Sequence, residues 1–326
     1  MACLIFASVI QAQSAVKPAP RWFKGNTHAH TARSDGDSTP EEVTKWYREN
    51  GYNFLFITDH ETITPVEALN AMFGKAGEFV IFTGQEVTDR VDGKPCHVNG
   101  LGISRVSMPQ KGKTVVENLQ LNIDAVRAAG GIPQINHPNF GWALNAEQII
   151  QVKNIKLMEL FNGHFLVNNL GGGGLPSVES IWDSVLTSGK LIYGIASDDV
   201  HTVRDLGNRK AATPGHGWIM VRTNELDQKT ILEALERGDF YSSTGVELES
   251  YAVDKKSVTV AIKKERWSKY RIQFIGRGGK ILSEVLDSPA TYKVRGNEDY
   301  VRVKVLDSNG NIAWTQPVML RAETRP

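Results

Sequence analysis

The sequence predicts an α/β chain in which strands alternate with helices from about residue 21 to 245, followed by a small antiparallel β-sandwich-like domain over 246–326. Three observations carry this prediction. The runs "NFLFITDH", "EFVIFTGQEV", "HVNGLGI", "GIPQINHP", "KLMELFNG", "KLIYGIASDD" and "GWIMVR" are short, rich in Val, Ile and Phe, and continuous rather than alternating. Parallel strands buried on both faces read this way. Helix start signals lie between the runs, and strand–helix repetition argues for an α/β sheet or barrel. Beyond residue 246 the pattern changes to alternation: Val258, Val260 and Ile262, then Ile272 and Phe274, then Val301, Val303 and Val305, then Ile312 and Trp314. That is the pattern of half-buried antiparallel strands.

Taken in order, residues 1–15, "MACLIFASVIQAQSA", read as the apolar and cleavage regions of a secretory signal, and they are too short to span a bilayer. No Lys or Arg precedes the apolar run, so this reading allows for a start upstream of Met1. The expected location is periplasmic or secreted, with no membrane span in the mature chain. Thr39-Pro40-Glu41-Glu42 is a capping box with Pro at the first helical position, and Thr64-Pro65-Val66-Glu67 repeats it. Thr114-Val115-Val116-Glu117 opens a further helix that stops at Gly130-Gly131. Pro176-Ser177 opens another, ending near Gly189. The glycines 171–174 read as a flexible or close-approach loop. Asn309-Gly310 is a hairpin turn between two C-terminal strands. Trp267, Trp314 and Tyr300 read as core or interface residues.

The chain has 326 residues, 41% hydrophobic and 22% charged, a globular composition long enough for a large core. A net charge of +1 gives no broad attraction to nucleic acid or membrane. No basic stripe with interleaved aromatics appears, so nucleic acid is not an expected partner. Of the two cysteines, Cys3 and Cys96, only Cys96 outlasts removal of the leader, and no internal disulfide can then form.

The chemistry lies in the histidines. His28 and His30 follow "RWFKGNT", His60 ends "NFLFITDH", and Glu86 is near the end of "EFVIFTGQEV". His97 begins "HVNGLGI", His137 ends "GIPQINHP", and Asp198, Asp199 and His201 close "LIYGIASDDVH". Sites in parallel α/β proteins form at the carboxyl ends of strands. A His-x-His on an extended segment sends both imidazoles to one face, and a Glu can bridge two cations. Imidazole and carboxylate ligands suit Zn²⁺, Mn²⁺ or Fe²⁺. So many ligands exceed the needs of one ion, and two or three divalent ions are expected. Asp37 reads as a turn residue and Cys96 as core packing. His164 and His216 fall outside the strand-end series and read as substrate contacts or structural residues.

In order, "THAHTARSDG", "FITDH", "GQEV", "HVNGLG", "INHP" and "IASDDVH" resemble the PHP family, the polymerase-and-histidinol-phosphatase group of metal-dependent phosphoesterases. The resemblance covers nearly all of residues 24–245. The later order of motifs resembles the secreted or periplasmic branch with a small C-terminal β domain. It implies a distorted (β/α)7 barrel and three metal sites. His28, His30, Glu86 and one of Asp198 and Asp199 would hold the first ion. Glu86 would bridge to a second, completed by His97 and His137. Asp35, His60 and His201 would hold a third. Strand alignment favours Asp198 as the ligand, whereas spacing favours Asp199.

The expected activity is hydrolysis of a small-molecule phosphoester by a hydroxide shared between two metals. Arg33 and Arg204 are the expected phosphate-binding cations, and Asp59 is expected to orient a ligand histidine. Two alternatives use the same residues: hydrolysis of a carboxylic ester or carbamate, and a non-catalytic metal-containing binding protein.

Overall fold

The structure is a computed structural model that describes residues 19–320. The signal-peptide reading and Cys3 lie outside the described residues. The first strands are β1 (Arg21–Asn26), β2 (Phe54–Ile57) and β3 (Val80–Val87). A short hairpin, β4 (Arg90–Val91) and β5 (Lys94–Pro95), leads into β6 (Val98–Leu101). β7 (Ile132–Ile135), β8 (Leu157–Asn162), β9 (Tyr193–Ser197), β10 (Trp218–Thr223) and β11 (Phe240–Ser243) follow. The helices are α1 (Pro40–Glu49), α2 (Glu67–Phe73), α3 (Val115–Ala128), α4 (Ala146–Gln151), α5 (Val178–Thr187) and α6 (Gln228–Arg237). The C-terminal region contributes β12 (Leu248–Val253), β13 (Ser257–Ile262), β14 (Tyr270–Gly276), β15 (Lys280–Val285), β16 (Ala290–Lys293), β17 (Tyr300–Asp307), β18 (Ile312–Thr315) and β19 (Val318–Met319).

The fold is mixed α/β around one long sheet, ordered β15-β14-β17-β18-β11-β10-β1-β2-β3-β6-β7-β8-β9. β1–β2, β2–β3, β7–β8 and β8–β9 pair in parallel. β6 runs antiparallel to both β3 and β7, and β10 runs antiparallel to β1. The parallel reading of "HVNGLGI" and "GWIMVR" is therefore corrected. The chain reaches β6 from β3 through a compact hairpin, which suffices for an antiparallel return, whereas a parallel neighbour needs a long crossover. Burial on both faces produces the same continuous apolar run whichever way a strand points.

Beyond the strand ends the chain turns back on itself. Ala29 bridges Val200 in parallel, and His30 N donates to Val200 O at 2.9 Å. The segment after β1 is thus tied to the segment after β9. Gly25 lets β1 pack closely on β2, since a Cβ there would stand 2.1 Å from the Phe54 ring.

The helix starts follow the sequence with one exception. Thr39 closes a full capping box with Glu42 at α1. Thr114 and Ser177 cap α3 and α5. The expected second capping box does not form: α2 begins at Glu67 with no side-chain cap, because the Thr64 hydroxyl is drawn to the Asp59 carboxylate. Glycines 171–174 all have positive φ, a backbone path that favours glycine.

Of the C-terminal strands, β14, β15, β17 and β18 join the long sheet, β19 pairs with β17, and β12, β13 and β16 form a separate three-stranded sheet. β11 pairs with β18. Tyr300 and Trp314 are buried in the same cluster as Val178, Ile181 and Trp182 of α5. The buried Arg302 guanidinium donates to Asp183 Oδ1 and Oδ2 at 2.8 and 2.6 Å and to Glu179 Oε1 at 2.8 Å. Trp267 departs from its expected core role: it is 81% exposed, with the Arg266 guanidinium over its ring. Cys96 is free and buried, its thiol pushed up to about 11 by burial. No described helix is long and apolar enough to cross a membrane.

Candidate metal centre

The strand ends converge. His28 Nε2 and His30 Nε2 stand 3.1 Å apart. Glu86 Oε2 is 3.3 and 3.2 Å from them, and Asp199 Oδ1 is 3.2 Å from each. Ligands about 2.0–2.2 Å from one ion stand about 3.0–3.4 Å from one another, so this donor set fits a divalent cation. The other Glu86 oxygen, Oε1, faces His97 Nδ1 at 3.0 Å and His137 Nε2 at 3.3 Å. His97 Nε2 is buried without a hydrogen-bond partner among the described residues. A third focus surrounds Asp35, whose oxygens lie 3.3 Å from His60 Nε2, 3.4 Å from His201 Nε2 and 3.6 Å from His30 Nδ1. Three metal-capable groups result among the described residues: His30, Asp35, His60 and His201; His28, Glu86 and His137; and His28, His30 and Asp199.

The two acids at 198–199 are placed differently. Asp199 lies in the cluster and Asp198 does not. Asp199 has φ of +53°, so the chain kinks after β9 and sends successive carboxylates to different sides. Asp198 Oδ1 accepts from His216 N at 2.7 Å and Gly217 N at 2.9 Å, and Oδ2 accepts from Asn26 Nδ2 at 2.8 Å and Tyr47 OH at 2.7 Å. Asp198 is a structural pin. His137 is also left-handed, at φ +23°. Such strained non-glycine residues cluster at functional sites.

The cluster is held by residues that the sequence reading missed. Glu159, in the middle of "KLMELFNG", is buried and stands 2.7 Å from His28 Nδ1. A carboxylate only accepts, so His28 carries its proton on Nδ1 and turns Nε2 to the cluster. The other Glu159 oxygen accepts from His137 N at 2.6 Å and Asn162 Nδ2 at 2.8 Å. His201 Nδ1 donates to Asp199 O at 2.9 Å, His60 Nδ1 meets the Thr88 hydroxyl, and Asn136 Nδ2 donates to Glu86 Oε1 at 2.8 Å. An acid inside an apolar strand was the available signal for Glu159.

Charge reinforces the geometry. Burial lowers an imidazole pKa, but at His28 the Asp199, Glu86 and Glu159 carboxylates more than reverse this and hold it well above the ordinary range. Nearby carboxylates likewise outweigh burial and raise His30, His60, His137 and His201. Burial dominates at His97 and His164, which are lowered. Burial would raise Glu86, yet the surrounding histidines hold it well below the usual carboxylate range. Packed acids of this kind demand positive charge.

The centre opens into a cavity of about 340 Å³, walled also by Thr88, Arg90, Phe140, His164 and Leu166. His164 lines it, and His216 does not. Neither expected phosphate-binding cation does either. Arg33 is exposed outside the cavity, and Arg204 is paired at 2.6 Å with Glu42, whose carboxylate also closes the α1 capping box. Asp59 does not orient a histidine. Its oxygens accept from Thr31 N, Thr31 Oγ1 and Ser34 Oγ at 2.7, 2.8 and 2.7 Å, which fixes the loop that carries Asp35.

A comparison with protein-family models found no match. Among solved structures the chain is similar to a two-domain protein of Bacteroides vulgatus containing a predicted PHP-like metal-dependent phosphoesterase. The TM-score is 0.52 at 14% identity, over 94% of this chain and 100% of that one. It is also similar to an amidohydrolase of Chromobacterium violaceum with bound sulfate and no metal, at a TM-score of 0.39 and 16% identity, over 56% of this chain and 88% of that one. Among curated proteins a 5′-3′ exoribonuclease of Haemophilus influenzae is 26% identical over 115 residues, 34% of this chain and 42% of that protein. The chain thus spans less than half the length of that relative. The fold is that of the PHP-like metal-dependent phosphoesterases, the family that the sequence motifs resemble.

Proposed function

We propose that the protein is a phosphoesterase that uses two or three divalent transition-metal ions, Zn, Mn or Fe, at the mouth of a distorted seven-stranded barrel, with 246–326 as a smaller β domain. The observation that carries this reading is Glu86: one oxygen faces His28 and His30, and the other faces His97 and His137. A carboxylate divided between two imidazole pairs suits two neighbouring cations. His28, His30, Glu86 and Asp199 would hold one ion, Glu86, His97 and His137 a second, and Asp35, His60 and His201 a third. Bound there, the ions would supply Lewis acidity toward a phosphoryl oxygen and make water nucleophilic near neutral pH.

The chain's own residues do the rest. Glu159 and the Asp199 carbonyl fix the protons on His28 and His201, so that the opposite nitrogens face the centre. Phe140 and Leu166 form an apolar part of the cavity wall and limit water there. The partial similarity to an exoribonuclease supports a phosphorus ester as the bond class.

The test is metal content per folded chain before and after chelation, followed by a panel of aryl phosphomonoester, phosphodiester, 5′-phosphorylated oligoribonucleotide and carboxylic ester substrates. Two or three equivalents with metal-dependent phosphoester turnover are expected. Less than one equivalent, with no uptake of added Zn²⁺ or Mn²⁺, would defeat the reading, as would turnover of carboxylic esters alone.

A further inference from the structure

Among the residues that line the cavity, Arg90 is the one permanent cation. The remaining polar groups there are histidines, the carboxylates of Asp35, Glu86 and Asp199, and the Thr88 hydroxyl. The backbone N–H of Arg90 is engaged, donating to Asp89 Oδ1 at 2.9 Å. Its guanidinium makes no ion pair or hydrogen bond among the described residues, although three carboxylates share the cavity. Those carboxylates already answer to the histidines around them. They leave the arginine's charge uncommitted.

The backbone below Arg90 is rigidly held. Asp89 is buried, and its carboxylate accepts from Lys111 N and Nζ at 3.0 and 3.1 Å and from Asn118 Nδ2 at 2.7 Å. Burial alone would raise that carboxyl, yet these donors bring it down to about 2. Arg90 opens the β4–β5 hairpin, opposite Pro95, and the hairpin turns through Asp92 and Gly93, both at positive φ. Two residues before Arg90, Thr88 contacts His60. A fixed backbone therefore carries an exposed arginine, its guanidinium unpaired among the described residues, on the wall of the cavity that holds the metal-capable cluster. A planar fork of N–H donors matches two oxygens of a phosphoryl group and gains far less from a neutral ester carbonyl.

We propose that Arg90 is the anion anchor of the cavity, binding the phosphoryl oxygens of the substrate and thereby favouring phosphoesters over carboxylic esters. This rests on the phosphoesterase reading above. Arg90 acts as a binding residue, so its loss falls mainly on KM.

The test uses the full chain loaded with Mn²⁺, with metal content verified for every variant. Inorganic phosphate is titrated calorimetrically into the wild type and into Arg90→Ala, Arg90→Lys and Arg33→Ala. Phosphate affinity should fall on the order of 10–100-fold in Arg90→Ala, the scale of a lost charge-assisted contact. It should recover partly in Arg90→Lys and stay at wild-type level in Arg33→Ala. In parallel, KM for an aryl phosphate should rise in Arg90→Ala while kcat changes less. Wild-type phosphate affinity in Arg90→Ala, with phosphoester turnover intact in the wild type, overturns the Arg90 assignment alone. A metal-loaded wild type that neither binds phosphate nor turns over any phosphoester overturns both readings.

Discussion

Glu159 Oε1 lies 2.7 Å from His28 Nδ1, and both side chains are fully enclosed by the strands that meet at the metal-capable cluster. Outer carboxylates of this kind orient a ligand imidazole and raise its basicity. Glu159→Gln keeps the shape and removes the charge. Metal affinity, measured by competition with a fluorescent chelator, should fall by about 10–100-fold. Unchanged affinity would make Glu159 a packing residue.

Neighbouring acids should separate by phenotype. Asp199→Asn should lose metal equivalents and turnover with little change in thermal stability. Asp198→Asn should do the reverse. Its carboxylate accepts from four donors, Asn26, Tyr47, His216 and Gly217, and an amide presents N–H to at least one of them. Loss of hydrogen bonds to a charged group costs about 1.5–3 kcal/mol each, so a lower Tm should accompany near-normal metal content.

The Arg302 network offers a stability test away from the site. Arg302→Met leaves Asp183 and Glu179 without their shared guanidinium. Breaking one side of a buried pair costs about 3–5 kcal/mol, readable by urea unfolding. Arg302→Met combined with Asp183→Leu should recover part of that loss, since no buried charge then lacks a partner.

Acid stability should report Glu298. Burial would raise this carboxyl, but the Tyr292 hydroxyl and the backbone N–H groups of Arg295 and Gly296 bring it from 4.5 down to about 2. A carboxyl depressed in the folded state stabilises the fold above its unfolded pKa, and that contribution fades as pH falls through the folded value. The wild type should therefore lose stability between about pH 4.5 and 2. Glu298→Gln should start less stable at pH 7 and show a flatter acid limb in pH-dependent thermal melts.

Much of the metal-capable cluster was legible because its members flank strands. His28, His30, His60, Glu86, His137 and His201 sit at or just past the end of an apolar run and His97 just before one, and a run's ends can be read from composition alone. The different placement of Asp198 and Asp199 could not be read, because it turns on a left-handed kink at Asp199 that no propensity dictates. Arg33 and Arg204 looked right by sequence proximity. A long side chain on a loop goes where the nearest carboxylate draws it, as Glu42 does for Arg204. Arg90 went unread because its approach to the cavity depends on a hairpin clamped from α3 through Asp89. In the fold, the C-terminal alternation and the Asn309-Gly310 turn between β17 and β18 were readable. Strand direction at β6 and β10 was not, since an apolar run reads the same whichever way the strand points.

The pairing of β11 with β18 has a consequence for dissection. A chain cut after residue 245 would keep every metal-capable side chain and yet lose the strand that covers β11. The unpaired N–H and C=O groups of that edge, beside an opened patch around Trp182, would invite intermolecular strand addition. The C-terminal strands thus cover an edge that the preceding half leaves open, and isolating that half should give aggregates before it gives a soluble fragment.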